Sequence, residues 1–455
     1  MGLLSIFGGG KRLHRGVHVP EFKEQTSQLP IRRMPFPPSM IIPLSQHAGA
    51  PAVSIVREGQ EVVRGEPIAK ANGFVSVPMH APATGRIERI ALAPSARGEL
   101  SPAIYLKPWP SASQEILYGA PQDIEHMTPE EIVKAVQETG VVGLGGAAFP
   151  THVKMKVPEG KKIEVVMVNG CECEPYLTTD HRVMVEQPDE VLHGARIAMK
   201  AVGAQRIVIG VEDNKPDAIE NLRKAAVPYP YISVEPVPAQ YPQGAEKMLI
   251  HVLLGREVPS GGLPSDVGVS VFNVATLAQI GDLLPRHQGL IERVVTFAGP
   301  ALKKPGNYMA ALGTPLRFAL EQAGCTEEAA GVILGGPMMG PAISSLDVPL
   351  TKGVTGVLVL TQKELASRNG DILPCIRCGA CVDVCPLHLN PSRMGMLARK
   401  ERYEEMETDF HLMDCFECGC CSYVCPSHIP LVQHFRVAKQ MNRERKARER
   451  AKSNA

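Results

Sequence analysis

The feature that most constrains this chain is a cysteine pattern that occurs twice. Residues 375–386 read CIRCGACVDVCP and residues 415–426 read CFECGCCSYVCP. Each is C-x2-C-x2-C-x3-C-P, and the second begins 40 residues after the first. Nine of the twelve cysteines fall between Cys375 and Cys425, so they are not spread along the chain as disulfide partners would be. Three closely spaced thiolates on a tight loop can wrap three corners of an iron–sulfur cubane. The fourth, at a helix start, points toward a second cubane. The spacing therefore assigns Cys375, Cys378, Cys381 and Cys425 to one 4Fe–4S cluster, and Cys415, Cys418, Cys421 and Cys385 to another. Gly379 and Gly419 let backbone amides approach the sulfides, and Pro386 and Pro426 end the loops. Structural zinc uses paired knuckles with four ligands per ion, which two triple-plus-one groups fit poorly. Cys420 is surplus to the pattern and reads as a packed thiol.

Composition sets the frame. A chain of 455 residues predicts about two to four domains. With 48 Lys and Arg against 47 Asp and Glu, the formal charge is +1, which gives no case for nucleic acid as a partner. No uninterrupted apolar run reaches the ~18 residues a spanning helix needs. The opening apolar residues Leu3, Leu4, Ile6 and Phe7 are too few for a secretion signal, and the basic residues follow them. Gly2 is not followed by a myristoylation pattern, because Ile6 stands where Ser or Thr is required. A cytosolic protein is the default expectation.

Two one-electron carriers need a source that accepts electron pairs and releases single electrons, which is flavin chemistry. The search for a nucleotide site therefore runs upstream. Residues 30–110 are rich in Pro, Gly, Val and short apolar alternations. The stretch from Gly49 to Ile90 resembles a biotinyl/lipoyl-type barrel-sandwich domain, but its tip, Ser76-Val-Pro-Met-His-Ala81, has no cofactor lysine. Thr128-Pro-Glu-Glu131 opens a helix with an N-cap and a capping-box Glu, and Gly140 stops it. The loop that follows carries Gly143, Gly145 and Gly146, and can lie against a flat ring or a phosphate. Strands at 164–168, 206–211 and 231–235 alternate with helices at 188–202 and 216–226, with Asp189 read as a cap. This alternation predicts a parallel, Rossmann-like layer. Residues 293–345 read as a small α+β unit whose helix is capped by Thr314. Arg436 to Lys452 form a tail with eight basic and two acidic residues, read as a solvated end or a docking arm.

These residues also carry a resemblance. Gly143-Leu-Gly-Gly-Ala-Ala-Phe-Pro-Thr-His-Val-Lys154 resembles the G-x-G-G-A-G-F-P-T-x-x-K motif of the FMN- and NADH-binding subunit of respiratory complex I. Asn169-Gly-Cys-Glu-Cys-Glu-Pro175, Tyr241-Pro-Gln-Gly-Ala-Glu246 and Asn273-Val-Ala-Thr276 resemble further motifs of that subunit, in the same order. Residues 293–345 are similar to its SLBB domain. The two cysteine motifs and the opening Gly16-Val-His-Val-Pro-Glu-Phe-Lys-Glu-Gln-Thr26 resemble the RnfC subunits of Rnf ion-translocating oxidoreductase complexes. Three positions depart from the complex I pattern: Ala148 for Gly, Ala245 for Glu and Cys171 for Asp.

The resemblance implies a multidomain α/β protein. An N-terminal segment (1–29) precedes a barrel-sandwich module (30–110). An FMN/NADH domain (120–290), an SLBB domain (291–350), a two-cluster ferredoxin-like domain (365–435) and the basic tail (436–455) follow. It implies FMN contacts from Gly143, Gly145, Gly146, Lys154, Asn169, Glu172, Tyr241, Gly244, Asn273 and Thr276, the last two at the phosphate. It implies NADH contacts from Phe149, Glu174 and Glu246. No side chain is assigned as a catalytic acid, base or nucleophile. The implied activity is electron exchange between NAD(H) and ferredoxin through FMN and two 4Fe–4S clusters, coupled to ion movement. The implied partners are the other Rnf subunits, with ferredoxin reached through the complex. The implied location is peripheral, on the cytoplasmic face of the inner membrane. Two alternatives stand beside this reading: a soluble corrinoid reductase with the same cofactors, and an electron wire whose nucleotide site does not work.

Overall fold

The computed structural model describes residues 13–96, 98–368 and 370–453. The short apolar stretch at residues 3–7 lies outside them. Four parallel strands form the layer that the alternating pattern predicts, in the spatial order Ile232–Val237, Arg206–Glu212, Val165–Gly170, Val269–Asn273. The continuous apolar runs of these strands suit burial on both faces. Their crossovers are Pro188–Val202, Pro216–Ala226 and Val274–Leu283. The chain builds three strands outward, then returns to lay the fourth beside the first. The order therefore reverses between Val165–Gly170 and Val269–Asn273, where open α/β sheets bind ligands. Helices Pro188–Val202 and Val274–Leu283 cross so closely that a Cβ on Gly194 would lie 1.9 Å from the Leu277 carbonyl oxygen.

The helix Pro129–Thr139 has the capping box read from Thr128 and Glu131, and it ends at Gly140 in the left-handed region. Two caps differ from the sequence reading. Asp189 sits in the first turn of its helix, not at the cap, which is Gln187. Thr314 lies before the helix Leu316–Gln322, whose cap is Pro315, and its hydroxyl donates to the Ala311 carbonyl. In both cases a proline at or near the first turn sets the start.

Two small sheets form the N-terminal module, one of Met40–Pro43, Leu100–Pro108, Gly85–Pro94 and Glu61–Val62, the other of Val53–Ser54, Pro67–Lys70 and Met79–His80. The third sheet is wider than residues 293–345 alone suggest. It takes Arg32–Arg33 at one edge and Gly356–Thr361 in its middle, besides Glu292–Ala298, Gly306–Ala311, Ala329–Leu334 and Ala342–Ile343. The C-terminal part is helical and internally repeated. Short helices Ala380–Asp383 and Cys420–Tyr423 each follow a glycine in the left-handed region, Gly379 and Gly419. Pro391–Ala398 and Leu431–Ser453 follow in turn. Among the described residues no helix is long and apolar enough to cross a membrane.

Candidate functional site

Asn169 and Asn273 are register partners at the C-terminal ends of the two strands flanking the reversal. The glycine loop closes over them. A Cβ on Gly145 would lie 3.3 Å from Asn273 Nδ2, whereas one on Gly146 would meet nothing within 4 Å. The Leu144 amide donates to Thr276 Oγ1 at 2.8 Å, which fastens the loop to the first turn of Val274–Leu283. Asn273 caps that helix by accepting from the Thr276 amide at 3.2 Å, and its Nδ2 donates to Asp180 at 2.6 Å. Burial and the neighbouring Glu172 carboxylate push Asp180 up to about 7. A side-chain-poor loop facing a helix N-terminus at a topological switch point is an anion and nucleotide site by construction.

The other residues singled out by sequence take different places. Lys154, on Thr151–Met155, pairs with Glu246 at 3.1 Å beside the Phe272 ring, and both are partly exposed. Asn169 Nδ2 donates to the Gly244 carbonyl at 2.8 Å, joining the turn at 241–244 to the strand end. A Cβ on Gly244 would lie 2.4 Å from the Cys171 carbonyl oxygen, so only glycine permits that approach. Phe149 is partly exposed, and its carbonyl accepts from the Gly143 amide at 2.8 Å. Three side chains are engaged elsewhere. The Glu172 carboxylate accepts the Asp180 and His181 amides at 2.8 and 3.2 Å, at the start of Thr179–Glu186. The Tyr241 phenol donates to the Cys418 carbonyl at 2.6 Å. Glu174 accepts the Met338 and Met339 amides at 3.1 and 2.9 Å, and burial pushes it up to about 7.

Sequence reading missed the residues that brace the loop. Arg293 is buried, donates to the Leu144 carbonyl at 3.0 Å and also reaches the Lys352 carbonyl. Lys352, equally buried, donates to the carbonyls of Pro78 and Gly140 at 2.9 and 2.7 Å. It thereby ties the barrel-sandwich hairpin to the loop's first residue. Its signal was a charged residue in an apolar run, which alone says nothing about partners 274 and 212 positions away. Gln243, between Tyr241 and Gly244, is fully buried with neither amide atom partnered.

The cysteines fall into two groups. Cys375, Cys378, Cys381 and Cys425 line one cavity. The Leu373 amide donates to the Ser427 carbonyl and Ser427 Oγ to the Pro374 carbonyl, which brings Cys425 beside the first motif. Cys421 faces Cys418, Cys415 and Cys385, whose negative field adds to burial in raising its thiol. Burial, with facing thiols, also pushes Cys381 and Cys415 up to about 11, so metal must displace protons there. Among the described residues no three His, Cys, Asp or Glu converge as they would on a single ion. Cys375 and Cys378 are exposed, and the second group is turned inward, with Gly419 against Met338.

Four family models match in chain order: the RnfC barrel sandwich hybrid domain over 11–108, the Nuo51 FMN-binding domain over 136–282, the SLBB domain over 294–342 and the 4Fe-4S dicluster domain over 374–429. The RnfC subunit of a proton-translocating ferredoxin:NAD(+) oxidoreductase complex from Clostridium ljungdahlii is 44% identical over 445 residues, covering 97% of this chain and 96% of its own. The chain belongs to the RnfC family. Its counterpart in a Na(+)-translocating complex of the same type from Acetobacterium woodii is 43% identical, covering 93% of this chain and 96% of its own. The corresponding subunit of an ion-translocating oxidoreductase complex from Pseudomonas aeruginosa is 41% identical over 95% of this chain but only 56% of its own. Among solved structures, an NAD+-reducing [NiFe]-hydrogenase in the H2-reduced state aligns with a TM-score of 0.51 at 19% identity. That alignment covers 70% of this chain and 63% of the hydrogenase chain, and it shows a shared fold. RnfC membership and the domain order favour neither the corrinoid reductase nor the bare wire.

The residues present fit both groups that the family implies. An open glycine loop faces a helix N-terminus, and the turn at 241–244 carries the buried, unpartnered Gln243 amide, as a flavin site requires. Four thiols around one cavity suit a cubane.

Proposed function

We propose that this chain is the peripheral, NADH-oxidising electron-transfer subunit of a membrane-bound, ion-translocating NAD:ferredoxin oxidoreductase. The observation that carries the reading is the hydrogen bond from Tyr241, in the nucleotide domain, to the carbonyl of Cys418, in a cluster motif. It holds the domain that would receive electron pairs against a carrier of single electrons. Bound FMN would take a hydride from NADH and give up electrons singly, and the clusters would carry them on.

The chain's own part is binding and placement. Gly143, Gly145 and Gly146 leave room for a flat ring, while Thr276 and Asn273 hold the loop and helix end where a phosphate would sit. Asn169 and Gly244 fix the strand-end turn. Glu172 acts through helix Thr179–Glu186 rather than by contact. Lys154, Phe149 and Glu246 stand at the open side, where NADH would approach. Glu174, covered by Met338 and Met339, supports that side from beneath. Cys415, Cys418, Cys421 and Cys385 would hold the cluster nearer the flavin. Cys375, Cys378, Cys381 and Cys425 would hold the outer one, whose exposed end faces the other subunits. The chain would dock on the cytoplasmic face of the membrane, where NADH is supplied.

Anaerobic reconstitution with iron, sulfide and FMN tests the assignment. The expected product is yellow, contains iron and sulfide, and passes electrons from NADH to one-electron dyes without reducing cobalamin. Zinc in place of iron with no flavin, or cobalamin reduction without membrane partners, would contradict it.

A further inference from the structure

The two cofactor regions leave one segment without a role: residues 13–26, which run across both. Leu13 is buried with Met167, Cys171 and Leu249 under the parallel sheet. Arg15 Nη1 donates to the Val382 carbonyl at 2.9 Å, and the Gly16 amide to the Val384 carbonyl at 3.1 Å. Val382 and Val384 lie between Cys381 and Cys385. Val17 and Tyr241 then exchange a pair of backbone hydrogen bonds at 2.8 and 3.0 Å. Farther on, Phe22 stacks on Tyr176 at 4.9 Å. The Lys23 ammonium, almost fully buried, gathers the carbonyls of Glu172, Glu174 and Leu177 at 2.6, 3.0 and 2.6 Å. Thr26 closes the run by accepting from Thr178 Oγ1 at 2.7 Å.

We propose that residues 13–26 form a strap that sets the separation between the flavin site and the cluster held by Cys415, Cys418, Cys421 and Cys385. The strap is bonded at one end to the stretch that carries Cys385, in its middle to Tyr241, and at its far end to the loop that follows Asn169. Tyr241 is held from both sides, by Val17 through its backbone and by Cys418 through its phenol. The remaining polar ties between the nucleotide and cluster domains are few, chiefly Asp414 with Ser260 and the Gly261 amide. Arg15, Gly16 and Tyr241 are therefore positioning residues. They touch no reacting atom, but they fix where one carrier stands relative to the other. This inference rests on the proposed function.

Gly16→Val is the sharpest test. Its backbone has φ +114°, and a Cβ there would lie 2.3 Å from the Tyr241 carbonyl oxygen, so the strap must lift. In the reconstituted full chain, FMN and iron contents and the rate of flavin bleaching by NADH should match those of the parent. Cluster reduction, followed by freeze-quench EPR, should slow by about tenfold or more, since small misplacements carry such costs. In cofactor-free protein, amide exchange should rise at Tyr241 and across 415–421 and stay unchanged in the barrel-sandwich module. Arg15→Ala should show a weaker form of both effects, with rescue by Arg15→Lys, and it carries the test if Gly16→Val does not fold. Parental cluster-reduction rates in a variant whose exchange at Tyr241 has risen would overturn the proposal. A parent that fails to bleach with NADH would instead defeat the functional reading.

Discussion

Asn169 and Asn273 stand opposite each other as register partners at the ends of adjacent parallel strands. One holds the 241–244 turn and the other caps a helix beneath the glycine loop. The nucleotide site is built from this pair outward. Asn273→Ala removes the cap and leaves the buried Asp180 without its amide donor. Its expected cost is about 1–2 kcal/mol in urea unfolding of the cofactor-free chain. FMN retention should fall in parallel.

Gly145→Val should abolish FMN binding and leave iron content intact. Its side chain would enter the 3.3 Å gap to Asn273 and force the loop off the helix end. Flavin fluorescence after desalting, with iron analysis on the same sample, reads both halves. Gly146→Ala should be milder, because nothing lies within 4 Å of that added carbon, although the positive φ there adds strain.

Cys378→Ala should lose about four of the eight irons and keep its flavin, and Cys418→Ala should lose a similar share. Cys420→Ala should keep full iron, since the spacing leaves Cys420 outside both ligand sets. Iron and acid-labile sulfide per FMN check all three. Full retention by Cys378→Ala would contradict the ligand assignment.

Glu174 gives a pH dependence of known sign. Burial raises its folded-state value from 4.5 to about 7, so the native state holds the proton more tightly than the unfolded chain. Its contribution to stability is complete below 4.5 and lost as the pH rises through about 7. Glu174→Gln, which stays neutral, should remove that loss. The melting temperature of the variant minus that of the parent should grow across this interval in cofactor-free protein. A constant difference would show that Glu174 is not the titrating group.

What is legible in the sequence is local. The cysteine motifs have fixed spacing, the glycine loop follows a capped helix, and the helix Pro216–Ala226 is legible to the residue. The strand Arg32–Arg33 is not, because its partner Gly306–Ala311 lies far along the chain. The same holds for Tyr241 and Cys418, 177 positions apart. Glu172 and Glu174 stand out through a motif that conveys residue type but not direction. One turns to a helix N-terminus and the other to a neighbouring domain, because a buried carboxylate settles where unpaired amides are. Arg293 and Lys352 carry no motif at all. Their meaning is the set of carbonyls they collect, which only the folded chain brings together.

The central claim is that electron pairs enter at the glycine loop and leave singly through the cysteine motifs. Anaerobic protein carrying FMN and iron, mixed with NADH and followed by absorbance and EPR, tests it most directly. The account predicts bleaching of the flavin band followed by signals of reduced iron–sulfur clusters. Flavin that stays oxidised under excess NADH, while dithionite reduces the clusters in the same sample, would contradict it.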